Sequence, residues 1–206
     1  MPKKLRSNLI KVSVLTIMNK KKALIIYGSS RKKGLTTQMA NICRNLLSSS
    51  NWDYDVVRAY EINQKPCIGC LECRKTGRCY IKDDVENVRK KLVECDLLVI
   101  AAPTYFANIP GPVKNLFDRL SGAVVDANTK PRLRKTQQYL LITACNAPVP
   151  FNKLAGQSSG SLRAMNEFCK IAGMSCKGKI ALPGAQKYTT IPRKIEEKIG
   201  WYLLHT

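Results

Sequence analysis

The run ALIIYG, residues 23–28, is apolar at every position up to its glycine. A strand with one wet face alternates apolar and polar residues, so an unbroken run of this length marks a strand covered on both sides. A polar loop, SSRKKGL, follows. Leu35, Met39, Ile42, Cys43 and Leu46 then recur at the spacing of one helix face, with Thr36 or Thr37 as N-cap. The same order of strand, loop and helix repeats down the chain. YDVVRAY (54–60) has the mixed pattern of an edge strand, while LLVIAAP (97–103), QYLLITA (138–144) and KGKIALPG (177–184) are further strands. Asp83 or Asp84 caps a helix in which Val85, Val88 and Leu92 share a face. Pro112 opens another, with Val113, Leu116, Phe117 and Leu120 on one side. A helix over 158–172 turns Leu162, Met165, Phe168 and Cys169 inward, and a last one covers 191–204. This alternation predicts a three-layer α/β/α sandwich on a five-stranded parallel sheet. Ligands of such sheets sit outside the carboxyl ends of the strands, so every strand-to-helix loop is a candidate wall of one site.

With 206 residues, the chain is long enough for one self-sufficient core and suits a single domain. We place that domain at residues 22–206. Residues 1–21 read as a basic, disordered extension, since they carry no acid and their apolar segment LIKVSVLTIM is broken by Lys11. That segment is too short to span a bilayer and lacks a small-residue cleavage site. MNKKKALIIYGSS from Met18 reads as a natural beginning, so residues 1–17 are expected to be either such an extension or an upstream misassigned start. The formal net charge is +21. It points to polyanions or to phosphorylated cofactors and acidic electron partners. The basic residues beyond the extension are scattered, and no nucleic-acid motif with interleaved aromatics occurs, which argues against nucleic acid. Nine cysteines without a regular disulfide framework fit a reducing, cytoplasmic setting and no membrane.

Three loops carry chemistry. GSSRKKGLTT (28–37) joins the first strand to the first helix: Gly28 allows a sharp turn, Ser29, Ser30, Thr36 and Thr37 offer hydroxyls, and Arg31 offers a planar fork. With the free N–H groups of the helix start, this suits a single phosphate. It matches neither the dinucleotide nor the triphosphate glycine pattern. The alternative is an ordinary polar connection. APTYFANIPGPVKNLFDR (102–119) follows the third strand; its prolines stiffen the backbone, Tyr105 and Phe106 supply planar surfaces and Asn108 an amide. Such a frame suits a flat heteroaromatic ring, or else a packing or dimer surface. PCIGCLECRKTGRC (66–79) sets Cys67, Cys70, Cys73 and Cys79 in one loop. The C-x2-C-x2-C-x5-C spacing fits a 4Fe–4S cluster better than zinc, which favours two separated pairs. Reduced thiols are the third reading. Cys43, Cys95, Cys145, Cys169 and Cys176 read as small buried hydrophobes.

GSSRKKGLTTQMA, PCIGCLECRKTGRCYIKDDV and APTYFANIPGPVKNLFDRL, in this order and spacing, resemble the NADPH-dependent FMN reductase group of the flavodoxin-like superfamily, including its iron–sulfur flavoproteins. The likeness runs over residues 22–120 by motif and to 184 by element order. It implies a flavodoxin-like fold with strand order 2-1-3-4-5. It implies FMN with its phosphate on Ser29, Ser30, Arg31, Gly34, Leu35, Thr36 and Thr37. The isoalloxazine would lie against Pro103, Thr104, Tyr105, Phe106, Asn108 and Ile109, with Asn146 of the loop 145–151 near the ring. Two positions depart from the group's usual pattern, Ser30 where it has proline and Leu35 where it has asparagine. At Leu35 only the backbone N–H can serve the phosphate. The resemblance further implies an NAD(P)H-dependent oxidoreductase passing electrons to a quinone, nitro or azo compound, flavin or protein. Its alternatives are a 4Fe–4S relay to a ferredoxin-like partner, or a non-enzymatic carrier. A homodimer or homotetramer follows from the same group. No catalytic side chain is assigned: the only histidine, His205, is next to last, and no Ser/His/Asp set or carboxylate pair occurs in the motif loops. A basic module that has lost its flavin is a further reading.

Overall fold

The computed structural model describes residues 20–205. The extension proposed for residues 1–21 therefore lies almost wholly outside the described residues. Five parallel strands form one sheet in the order β2-β1-β3-β4-β5, as expected. They are β1 (Lys22–Tyr27), β2 (Asp53–Arg58), β3 (Leu97–Ala101), β4 (Gln138–Ala144) and β5 (Ser175–Leu182). Five longer helices follow them: α1 (Leu35–Ser49) after β1, α3 (Val85–Glu94) after β2, α4 (Gly111–Arg119) after β3, α7 (Gln157–Ile171) after β4 and α8 (Arg193–Leu204) after β5. Three short helical turns, α2 (Glu72–Thr76), α5 (Ser121–Val124) and α6 (Phe151–Leu154), sit in the loops and have no apolar period of their own.

The unbroken apolar runs are explained by two cores, one on each face. Leu24, Ile26, Leu98, Ile100 and Leu141 pack with α3, α4 and α7. Their neighbours Ile25, Tyr27, Val99, Leu140 and Ile142 pack on the other face with α1 and α8. Every residue of β3 is buried, whereas β2 at the sheet edge is exposed over its first half. The inner strands β1, β3 and β4 thus contribute alternate side chains to the two cores, which is why their buried positions are almost all apolar.

Two local expectations are corrected, and one, a cap on α3 from Asp83 or Asp84, is met. Gly34, not Thr36 or Thr37, stands at the N-cap of α1. Both threonines lie inside the first turn and are buried, because the helix already begins at Leu35. Asp84 occupies the N-cap of α3 without a side-chain cap bond, and Asp83 accepts the Val85 N–H instead (3.1 Å). Cys176 is exposed, since it lies near the start of the edge strand β5. The other four cysteines outside the cluster are buried.

Candidate functional site

At the carboxyl edge, the loop 28–34 is folded by its own hydrogen bonds. The Arg31 N–H donates to the Ser29 hydroxyl (3.2 Å), the Thr37 hydroxyl to the Arg31 carbonyl (2.8 Å) and the Gly34 N–H to that same carbonyl (3.1 Å). The first bond of α1 runs from Gln38 N–H to the Gly34 carbonyl, so the N–H groups of Leu35, Thr36 and Thr37 precede it and face a ligand or water. Ser30 and Arg31 are exposed beside them. The Leu35 side chain leans onto the core between sheet and α1, leaving only its backbone N–H at the loop. This donor set fits one phosphate group.

The second wall approaches closely. A Cβ on Gly28 would fall 2.8 Å from the Cβ of Ala102 and 2.8 Å from a methyl of Val113. Beyond Pro103, Tyr105 and Asn108 exchange two backbone hydrogen bonds (2.8 and 2.9 Å) around Phe106 and Ala107, whose φ angles are +49° and +56°. Glycine and asparagine normally fill such a turn, and each strained residue costs about 1–3 kcal/mol. The turn is held from below by α7, where Gly160 lies against the Ala107 carbonyl so closely that no Cβ fits. Phe106 projects fully into solvent and Tyr105 is half-exposed. Beside Tyr105 stands Tyr60, just past β2; burial first, then Tyr105, pushes its phenol up. The Thr104 hydroxyl bonds that of Thr143 (2.9 Å), which reaches Ser161 (3.4 Å) in the core. Ile109 is packed in the core and contributes backbone only. The Asn108 amide oxygen is taken by the Ile109 N–H (2.8 Å). Asn146 is exposed at the end of β4. The loop 29–37 and the turn 103–109 therefore lie on one edge as two open walls. Their donors and planar side chains fit a phosphorylated flat ring such as FMN.

The cysteine segment follows β2 on the same edge. Cys67, Cys70, Cys73 and Cys79 all line one cavity of about 680 Å³, floored by the stacked pair Phe117 and Phe168 (centroids 4.1 Å apart). Asn108 also borders this cavity, so it lies against the turn 103–109. Among the described residues no three Cys, His, Asp or Glu side chains are gathered tightly enough for one metal ion. A tetrahedral zinc centre needs its thiolates about 2.3 Å from a single ion. The four thiols share one cavity, and four cysteine thiolates are the donor set that a 4Fe–4S cluster takes.

Two residues that sequence reasoning missed organise this loop. Arg119, in α4, has a fully buried side chain paired with an equally buried Asp83. Its terminal nitrogens donate to Asp83 Oδ2 (2.7 Å) and Oδ1 (2.9 Å), to the Lys65 carbonyl (2.6 Å) and to the Ile81 carbonyl (3.2 Å). Lys65 precedes the cysteines and Ile81 follows them, so one guanidinium ties both ends of the loop. Gly122, in α5, touches the Cys73 backbone where any Cβ would collide. Burial pushes the Cys73 thiol up, and the Gly122 N–H works against it. The legible signal was weak: a glycine inside a helical segment, and an arginine three residues after Leu116 on the buried face.

A model of the family described as NADPH-dependent FMN reductase matches residues 21–144, which include both walls and the cysteine loop. An iron–sulfur flavoprotein of Methanocaldococcus jannaschii is 33% identical over 98 residues, 48% of this chain and 51% of that protein. One from Archaeoglobus fulgidus is 37% identical over 98 residues, 48% of each chain. The chain thus spans about half the length of these relatives. Among solved structures, an NAD(P)H:quinone oxidoreductase from Methanothermobacter marburgensis superposes with a TM-score of 0.67 at 14% identity, covering 91% of this chain and 98% of that one. An azoreductase from Bacillus anthracis gives 0.62 at 14%, covering 89% and 95%. At such identities these two speak for the fold alone.

Proposed function

Because the chain belongs to the NADPH-dependent FMN reductase family, we propose that it is an FMN-dependent NAD(P)H oxidoreductase. The observation that carries this reading is the pairing of the α1 N-terminus with the strained turn 105–108 on one sheet edge. The N–H groups of Leu35, Thr36 and Thr37, with Ser29, Ser30, Arg31 and the backbone at Gly34, would hold the phosphate. Pro103, Thr104, Tyr105, Phe106, Asn108 and the backbone of Ile109 would frame the ring, with Asn146 at its far side. When bound, FMN supplies a two-electron acceptor for NAD(P)H that can also release single electrons. The protein's part is to bind and orient: the phosphate loop fixes one end, and the rigid turn presents Tyr105 and Phe106 to the planar end. No side chain is assigned a proton, since neither wall holds a histidine or a carboxylate pair.

The acceptor class we favour is a flat, apolar small molecule such as a quinone, nitro or azo compound, because the second wall is open and aromatic. The domain spans residues 22–206, and the protein works in the reducing cytoplasm, where exposed Cys67 and Cys70 stay reduced or ligate iron. Among the described residues no helix is long and apolar enough to cross a membrane. The fully exposed Phe106 and the open ring site favour a homodimer or homotetramer whose partner subunit covers them.

A second reading rests on a separate observation, the four cysteines around one cavity. They would hold a 4Fe–4S cluster beside Asn108 and pass single electrons to a ferredoxin-like protein. Anaerobic purification tests both. A yellow protein that binds FMN and is bleached by NAD(P)H supports the oxidoreductase, and a colourless chain that does not titrate with FMN sinks it. About four irons per chain supports the cluster, and FMN without iron leaves four reduced thiols.

A further inference from the structure

An arginine carries five N–H donors. At Arg119, the four on the terminal nitrogens are spent on Asp83, Lys65 and Ile81, and the Nε–H is buried with no partner. A buried donor left unpaired is costly, about 1–3 kcal/mol or more for a charged group. Such groups are rare and call for an explanation. Arg119 and Cys79 line the same cavity, together with the other three cysteines. We propose that Arg119 is a positioning residue of the four-cysteine site, its free Nε–H reserved for the Cys79 sulfur once that sulfur carries the charge of an iron ligand. This rests on the cluster reading above.

The surrounding geometry explains why the donor is available. The Asp83 carboxylate also accepts the Lys65 N–H (2.9 Å) and the Val85 N–H (3.1 Å), so the fork cannot swing to satisfy Nε elsewhere. A guanidinium stays charged in proteins, and Asp83 balances that charge from the side away from the free donor. Charge-assisted bonds of this kind are strong, and hydrogen bonds to ligand sulfurs tune cluster potentials. Reduction adds negative charge, which a cation and a donor stabilise. Arg119 therefore raises the cluster's reduction potential.

The test is a redox titration, with iron content, on anaerobically purified full-length wild type, Arg119→Lys and Asp83→Asn. Lysine keeps the charge but has no Nε–H, whereas Asp83→Asn keeps Arg119 and removes a nearby negative charge. The expected result is a lower potential in Arg119→Lys and an unchanged or higher one in Asp83→Asn. Loss of iron from Arg119→Lys while Asp83→Asn retains it supports the proposal equally. An unmoved potential in Arg119→Lys, the same direction of shift in both variants, or loss of iron from both overturns it, because the pair would then only hold the loop. Iron-free wild type overturns the cluster reading and this proposal together; iron in wild type with no effect at Arg119 overturns this proposal alone.

Discussion

The missing Cβ of Gly28 would lie 2.8 Å from the Cβ of Ala102, so the first strand and the third are in direct contact where each leaves the sheet. The two walls of the candidate flavin site are spaced by that contact. Gly28 does not need a left-handed φ here; it needs the absence of a side chain.

Gly28→Ala should therefore overpack the sheet edge and lower stability by about 1–3 kcal/mol. A denaturant melt reads the loss. FMN affinity should weaken alongside it, and a variant with wild-type stability would contradict the contact.

Gly160→Ala has the opposite sign from helix propensity. In an open helix the alanine would stabilise by about 1 kcal/mol. Here it meets the Ala107 carbonyl, so thermal unfolding should occur earlier than in wild type. A stabilised variant would show that α7 does not brace the turn.

Thr37→Val removes the hydroxyl that holds the Arg31 carbonyl (2.8 Å) while keeping the side chain's shape. It should cost about 1 kcal/mol of stability. FMN titration calorimetry should show weaker binding, whereas the same substitution at a hydroxyl remote from the loop should not.

The Asp83–Arg119 pair links stability to pH. Burial pushes the Asp83 carboxyl up, but the Arg119 guanidinium and the Lys65 and Val85 N–H groups outweigh it and hold it below the ordinary aspartate range. A depressed carboxyl stabilises the fold above its unfolded pKa, about 3.9, and that contribution drains away as pH falls through the lower folded value. Unfolding free energy should thus decline below about pH 4. Asp83→Asn should flatten that acid limb and cost roughly 3 kcal/mol at neutral pH, because the Arg119 charge is left buried.

Thiol labelling separates the cysteines by place. Burial pushes the Cys43 and Cys95 thiols up to about 12, and both should resist alkylation in the native protein. Exposed Cys176 should react. Cys67 and Cys70, also exposed, should be protected in iron-loaded protein and label after iron is removed.

The strand runs and helix periods carried the architecture, because burial on both faces demands apolar residues at nearly every position of β1, β3 and β4, and a helix shows its one face every three to four residues. The phosphate loop, the aromatic wall and the four-cysteine spacing were legible for the same reason: each is a local stretch whose residue types announce a chemistry. What the chain could not announce lies between distant segments. Arg119 reads as a solvated charge until α4 folds it under residues 65–83, and Gly122 and Gly160 read as weak helix formers until Cys73 and Ala107 lie against them. Cys176 reads as apolar until it falls on the sheet edge. Periodicity reports which face of an element is covered. Only the tertiary fold decides what covers it, and there the buried ion pair and the two close backbone approaches hold the cysteine loop and the strained turn in place.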